Sequence, residues 1–287
     1  MIIPAFNAER FVSAAIDSAV AQTTPVHEII VVDDGSTDGT VNLVKSYGAA
    51  VSLVRQQNGG AGRARNAGAR AATGNWLAFL DADDQWRPEK LATQARAASA
   101  DVALVYSDRF NCGDRGHLPP QAGMHLDLRV GESLAGLLKD NVITTSSVLL
   151  RRDVFEALGG FSDDPNVVPA EDWDLWLRVV ARHKAKLCPE PLVDYRFHKS
   201  SVSRKDLKMN RARLLVLTRM LQSDACSTLS GSERRRILAT CWMHNSYDAY
   251  RAGSRLSAAA CCLRAAALDP MQWAPWRDLV KIGLGRI

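Results

Sequence analysis

Three carboxylates close an apolar run at Trp76-Leu77-Ala78-Phe79-Leu80-Asp81-Ala82-Asp83-Asp84. An apolar segment of this length reads as a buried strand. In an open α/β sheet, ligands sit outside the carboxyl ends of the strands, where Asp81, Asp83 and Asp84 would then stand. Acids at Asp-x-Asp spacing repel one another unless a cation or several donors answer them, and hard oxygen ligands select Mg2+ or Mn2+. Such a cation could in turn hold a diphosphate. The plain alternative is a solvated turn, with Asp84 as an N-terminal charge on a helix beginning near Pro88.

Other segments repeat this grammar. The apolar stretch 28–32 runs into Asp33-Asp34-Gly35-Ser36-Thr37-Asp38-Gly39, where Thr37 or Asp38 can cap the following helix. Gln57-Asn58-Gly59-Gly60-Ala61-Gly62 leads into Arg63-Ala64-Arg65-Asn66-Ala67-Gly68, and glycines before a helix N-terminus with arginines in its first turns suit a polyanion. Neither a Walker lysine nor a G-x-G-x-x-G opening follows the first strand, so a P-loop and a dinucleotide fold are not supported. Trp173, Trp176, Leu177 and Val180 fall at i, i+3, i+4 and i+7, which predicts an amphipathic helix with its tryptophans in the core. Glu171 and Asp172 then occupy its first turn, where the simplest role is to complement the helix dipole.

Short strands at 1–4, 28–32, 51–54, 76–80 and 102–106 alternate with helices at 11–20, 41–47, 63–68 and 88–98. That order predicts a parallel sheet with right-handed crossovers over the first ~110 residues. A strand beginning at residue 1 predicts an under-built sheet edge and a start lying a few residues upstream. Residues 108–130 read as a functional loop or insertion, 132–139 as a helix, 143–150 as a strand, 155–169 as a mobile loop and 192–198 as an alternating strand. From Asp206 onward the pattern is helical, at 207–221, 232–251, 255–268 and 273–282.

The 287-residue chain can bury a full core, and its net charge of +5 is unevenly divided. Residues 1–198 hold 20 Lys+Arg against 25 Asp+Glu, and residues 199–287 hold 16 against 6, so the parts carry −5 and +10. An acidic first part with a basic tail predicts docking on an anionic surface such as the inner membrane leaflet, and no nucleic-acid partner. The tail's simplest reading is a solvated helical face. With no long apolar run and no signal peptide, a cytosolic protein is expected, and the six cysteines read as reduced, mostly buried thiols.

Taken in order, Pro4-Ala5-Phe6-Asn7, Val31-Val32-Asp33-Asp34-Gly35-Ser36-Thr37-Asp38, Gly59-Gly60 with Ala64-Arg65-Asn66-Ala67-Gly68, Phe79-Leu80-Asp81-Ala82-Asp83-Asp84, Glu171-Asp172-Trp173 and Tyr195-Arg196-Phe197-His198 resemble family 2 inverting glycosyltransferases of the GT-A fold. The likeness runs from residue 1 to about 203. It implies a mostly parallel α/β sheet flanked by helices, with a donor-binding half at about 1–107 and an acceptor half at about 108–203. Residues 204–287 would form a helical appendage with a tetratricopeptide-like hairpin around Tyr247, Tyr250, Gly253, Ala259 and Ala266.

The resemblance further implies a nucleotide-sugar donor, usually a UDP-sugar, a divalent metal and inversion at the anomeric carbon. Pro4, Phe6 and Asn7 would line the nucleoside pocket with Arg65 near it, Asp34 would accept from the base, and Asp81 would face the ribose or sugar. Asp83 and His198 would bind the metal. Asp172, with Glu171 as second choice, would deprotonate the acceptor, a glycan or lipid-linked envelope precursor, under a loop at 159–169 that closes over the donor. Lacking a Gln-x-x-Arg-Trp segment and membrane spans, the chain resembles the non-processive bacterial type. A nucleotidyltransferase fits less well, for want of a Gly-rich, Lys-bearing loop. A non-catalytic scaffold sits badly with the presence of Asp34, Asp81, Asp83 and Asp172.

Overall fold

The computed structural model describes residues 1–113, 116–117, 127–197 and 206–284. Short apolar segments alternating with helices build a parallel layer of β1 (Ile2–Ala5), β2 (Ile30–Asp33) and β3 (Ser52–Arg55), connected by α1 (Val12–Val20) and α2 (Thr40–Ser46). Ile3 lies opposite Val31, and Val31 opposite Leu53. After α3 (Ala61–Ala71) comes β4 (Trp76–Ala78), whose continuation at Phe79 bridges Ile2 in the parallel sense, with Leu80 N–H donating to Ile2 O at 3.0 Å. β1 is therefore bonded on both sides and is not the under-built edge that its position in the chain predicted. Ile2, Ile3, Ile30, Leu77, Phe79 and Leu80 are fully buried, as continuous apolar strands covered on both faces must be.

Beyond β4 follow β5 (Gln85–Trp86), α4 (Lys90–Ala97), β6 (Val102–Gly113), β7 (Gly116–His117), α5 (Leu134–Leu137), β8 (Leu149–Arg151), α6 (Arg152–Ala157), α7 (Glu171–Val180) and β9 (Lys184–Arg196). Their lateral order is β4-β8-β6-β9-β5, with β7 paired to β6. β8 enters antiparallel between β4 and β6, so the parallel run expected through residue 106 is interrupted there, while β6 and β9 are parallel. Residues 108–113, expected in a loop, continue β6, and the expected strand at 143–150 is confined to its end in β8, with Thr145–Ser147 before it forming a 3-10 turn.

The stretch expected to be a mobile loop is core at its start. Phe161 is buried edge-on against Phe79 at 5.2 Å and Trp176 at 5.8 Å. Asn66 exchanges hydrogen bonds of 2.8 and 2.9 Å with the Phe161 backbone, and Arg178 donates to Leu158 O and Gly160 O at 2.6 and 2.8 Å. A lid hinged at residues 158–161 would have to break all of these.

The chain divides into two compact units, one of Met1–Leu137, Asn141–Asp163 and Glu171–Lys199, the other of Leu138–Asp140, Asp164–Ala170 and Ser200–Ile287. The second contains α8 (Asp206–Gln222), α9 (Gly231–Arg251), α10 (Arg255–Leu268) and α11 (Trp273–Leu284). A capping box of Ser230 and Glu233 starts α9, and Gly253, at φ +83°, makes the turn into α10. Ala249, Ala258 and Cys262 join the resulting hairpin, with Ser246 Oγ donating to Ala258 O at 2.9 Å. All six cysteines are free thiols and five are buried. Among the described residues no helix is long and apolar enough to cross a membrane.

Candidate active site

Because β1, β2 and β4 run parallel, their carboxyl ends bring the segments with Phe6 and Asn7, Asp34, and Asp81 and Asp83 to one edge. Asp34, buried, accepts hydrogen bonds from Gln56 Nε2 at 2.7 Å, Gly59 N at 2.9 Å and Gly60 N at 2.8 Å. The glycine N–H groups expected to suit a polyanion thus face a carboxylate of the chain itself. A carboxylate has about four acceptor sites, which leaves Asp34 Oδ2 capacity for one further donor. Asn7, at φ +48°, accepts from Thr37 N at 2.8 Å and donates its own N–H to Ser36 Oγ at 3.0 Å. Pro4 is buried within β1, and Phe6 beside it is half exposed. Asp38, not Thr37, receives the Thr40 N–H at 3.0 Å at the start of α2.

Arg65, buried on α3, donates to Asp81 Oδ1 at 2.5 Å, lies 3.5 Å from Glu171 Oε1 and covers the Phe161 ring at 5.3 Å. It therefore sits between the end of β4 and the start of α7. Gly62 on the same helix makes this approach feasible, since a Cβ there would stand 3.0 Å from Glu171 Cγ. Among the described residues, Arg65 Nε and Glu171 Oε2 are buried without a hydrogen-bond partner.

Asp84 turns inward. It accepts from Ser146 Oγ at 2.6 Å and Arg196 N at 2.9 Å, and burial, reinforced by the neighbouring Asp83 and Asp81 charges, pushes its pKa well above the usual carboxylate range. It is not a charge on α4, which begins only at Lys90. Ser146 Oγ also accepts the Asp81 N–H at 3.1 Å, while Trp86 Nε1 and Gln94 Nε2 hold the carbonyls of Ser146 and Ser147 at 2.8 and 2.7 Å. Arg196 Nε adds a bond to Asp83 O at 3.0 Å.

The same 3-10 turn reaches the other acid. Thr145 Oγ1 and Asn141 Nδ2 approach Asp172 Oδ2 at 3.3 and 3.4 Å, and Asp172 Oδ1 accepts the Trp173 N–H at 2.6 Å. Burial raises the pKa of Asp172, with Arg65 acting against it, and the same two influences act in the same order on Glu171. Asn141, Thr145 and Ser146 were not singled out in the sequence, although four consecutive hydroxyl residues at 144–147 inside an apolar stretch were a usable signal.

A cleft of about 650 Å³ lies near Trp76, Arg151, Arg152 and Glu156, and another of about 590 Å³ near Asp17, Ser18, Trp86 and Arg87, and neither is lined by a predicted site residue. The Asp81 and Asp83 carboxylates have the hard oxygens that Mg2+ or Mn2+ requires, and the repulsion that raises Asp84 is charge a cation would relieve. Among the described residues no three His, Cys, Asp or Glu side chains converge on one point. His198, the other expected metal ligand, lies outside the described residues.

A family model described as glycosyl transferase family 2 matches residues 1–159. TuaG of Bacillus subtilis, a putative teichuronic acid biosynthesis glycosyltransferase, is 30% identical over 212 residues, covering 71% of this chain and 80% of that one. Uncharacterized glycosyltransferases of Rickettsia felis and Rickettsia prowazekii are 29% and 31% identical, and the matches cover 71% and 69% of this chain. The chain spans only 35% and 63% of the length of those two relatives. Among solved structures, S. aureus TarS in complex with UDP-GlcNAc has a TM-score of 0.68 at 19% identity, covering 99% of this chain and 91% of that one. The mannosyltransferase PcManGT from Pyrobaculum calidifontis, in complex with GDP-Man and Mn2+, has a TM-score of 0.66 at 21% identity, covering 99% and 78%. These likenesses agree with the GT-A architecture of the sheet. With the family model spanning more than half of its length, the chain belongs to glycosyl transferase family 2.

Proposed function

We propose that the chain transfers a single sugar, with inversion, from a UDP-sugar to an acceptor hydroxyl of a glycan or lipid-linked envelope precursor, working on the cytosolic side of the membrane. The observation that carries this reading is the link through Arg65, which joins Asp81 at the end of β4 to Glu171, next to Asp172 at the start of α7. A donor group and a base candidate are thereby held on one edge. The TarS complexes with UDP-GlcNAc and UDP support a uridine donor.

In this reading Asp34 receives a donor from the base, near Pro4, Phe6 and Asn7, and Asp81 faces the sugar side. Asp83, with His198, would hold a divalent cation, which when bound supplies positive charge to the leaving diphosphate. Asp172 takes the acceptor proton as the acceptor oxygen bonds to the anomeric carbon from the face opposite the diphosphate. The C–O bond to phosphate breaks, and its electron pair leaves with the nucleoside diphosphate. Arg65, fixed by two acids, keeps Asp81 in place through this step.

Slow hydrolysis of an α-linked donor in the absence of acceptor tests the stereochemistry. The expected first product is the β-sugar, seen by NMR before mutarotation. Release of the α-sugar would remove the inverting reading.

A further inference from the structure

Within the second unit, α11 carries two apolar stripes. Pro275, Leu279 and Ile282 face inward, and Ile282 is buried in a cluster with Ala249, Ala258 and Cys262. On the opposite side Trp273, Trp276 and Val280 recur at i, i+3 and i+7, and Trp273 is 73% and Val280 62% exposed. Arg277 and Lys281 stand exposed among them, and Met271, just before the helix, is 93% exposed. α10 beside it contains no acid and exposes Leu256 and Leu263 with Arg255 and Arg264. A surface helix needs only one apolar stripe to pack, so the second is unexplained by folding.

We propose that the outward face of α11, with the basic residues of α10 and α11, docks on a bilayer surface bearing anionic headgroups. Tryptophans beside basic residues are the side chains that settle at the boundary between headgroups and acyl chains. Charge decides between this occupant and a second copy of the chain. Residues 199–287 carry +10, so two such faces repel, whereas anionic lipid complements them. The depth is interfacial, because among the described residues no helix can cross the membrane. This surface stands independently of the transfer reaction.

The test is sedimentation of the full chain with vesicles of phosphatidylcholine alone and of phosphatidylcholine mixed with phosphatidylglycerol, at low and high salt. Binding is expected only to the mixed vesicles and should weaken with salt. Arg255 and Lys281 are exposed and form no ion pair among the described residues. Arg255→Gln with Lys281→Gln should weaken binding roughly 30-fold, from the usual contribution of a basic residue near an anionic surface. Trp273→Ala with Val280→Ser should weaken it about tenfold or more, from the apolar area withdrawn from the interface. Unchanged thermal melting of both variants separates these losses from misfolding, and unchanged UDP-sugar binding separates them from damage to the acidic edge. No binding, equal binding to neutral vesicles, or an oligomer dispersed by the same substitutions would overturn the proposal, the last by assigning the face to a second copy.

Discussion

Asp172 sits in the first turn of α7, where aligned N–H groups favour a carboxylate, yet its pKa is raised, because burial costs the anion more than Arg65 and the helix return. A base must be ionised to act, so turnover should climb with pH along a limb centred above the ordinary aspartate range. A rate profile read as kcat/KM against pH checks this. Asp172→Asn should abolish that limb and lower turnover by about 10²–10⁴-fold while donor binding persists. Ser146 is a positioning residue: it donates to buried Asp84 and accepts from Asp81 N–H. Ser146→Ala strands both groups and should cost about 1–3 kcal/mol, seen as a lower urea midpoint, with a raised donor KM. Asp34, Asp81 and Asp83 were legible because they close apolar runs, and Asp172 because it opens an amphipathic helix. Ser146 was not, because 143–150 reads as a strand and only the rule that buried hydroxyls need partners singles out its four hydroxyl residues.

At the scale of elements, α3 lies against β1 only because Gly68 has no side chain. A Cβ there would stand 2.5 Å from Ile2 Cγ2 and 3.1 Å from Val32 Cγ2. Alanine would gain about 0.5–1 kcal/mol of helix propensity, but overpacking costs about 1–3 kcal/mol, so Gly68→Ala should destabilise in denaturant unfolding. Lys90 on α4 is fully buried, with its ammonium 2.6 Å from Gln94 Oε1 and 4.1 Å from the centre of the Trp86 ring. Burial lowers its pKa from the ordinary 10.5 to about 7. Between those values the unfolded chain holds a proton that the folded chain has released, so stability should rise with pH across that window, at up to about 1.4 kcal/mol per pH unit. Unfolding of Lys90→Met at several pH values should show this rise flattened. The central strands were readable as apolar runs, whereas the full length of β6 and β9 was not. Polar residues at 108–113 and the prolines at 189 and 191 argue against regular strands. The β6–β9 register does shift there, with Ser107 opposite Cys188 but Asp108 opposite Pro191 and Arg109 opposite Val193. Tertiary pairing overrode both signals. A strand was expected over the residues that end in β8, but its insertion was hidden, because nothing local announces that it will enter antiparallel between β4 and β6.

For the whole molecule, family membership rests on residues 1–159, yet Glu171 and Asp172 lie beyond them and join the acidic edge only through the fold. In the proposed division of labour on that edge, Asp83 serves the donor diphosphate and Asp172 the acceptor. The decisive experiment is calorimetric binding of UDP-sugars with and without Mn2+, compared for the parent, Asp83→Ala and Asp172→Asn and paired with turnover. Binding by the parent should require metal, Asp83→Ala should lose binding, and Asp172→Asn should bind without turning over. Metal-independent binding, or full turnover by Asp172→Asn, would contradict this division.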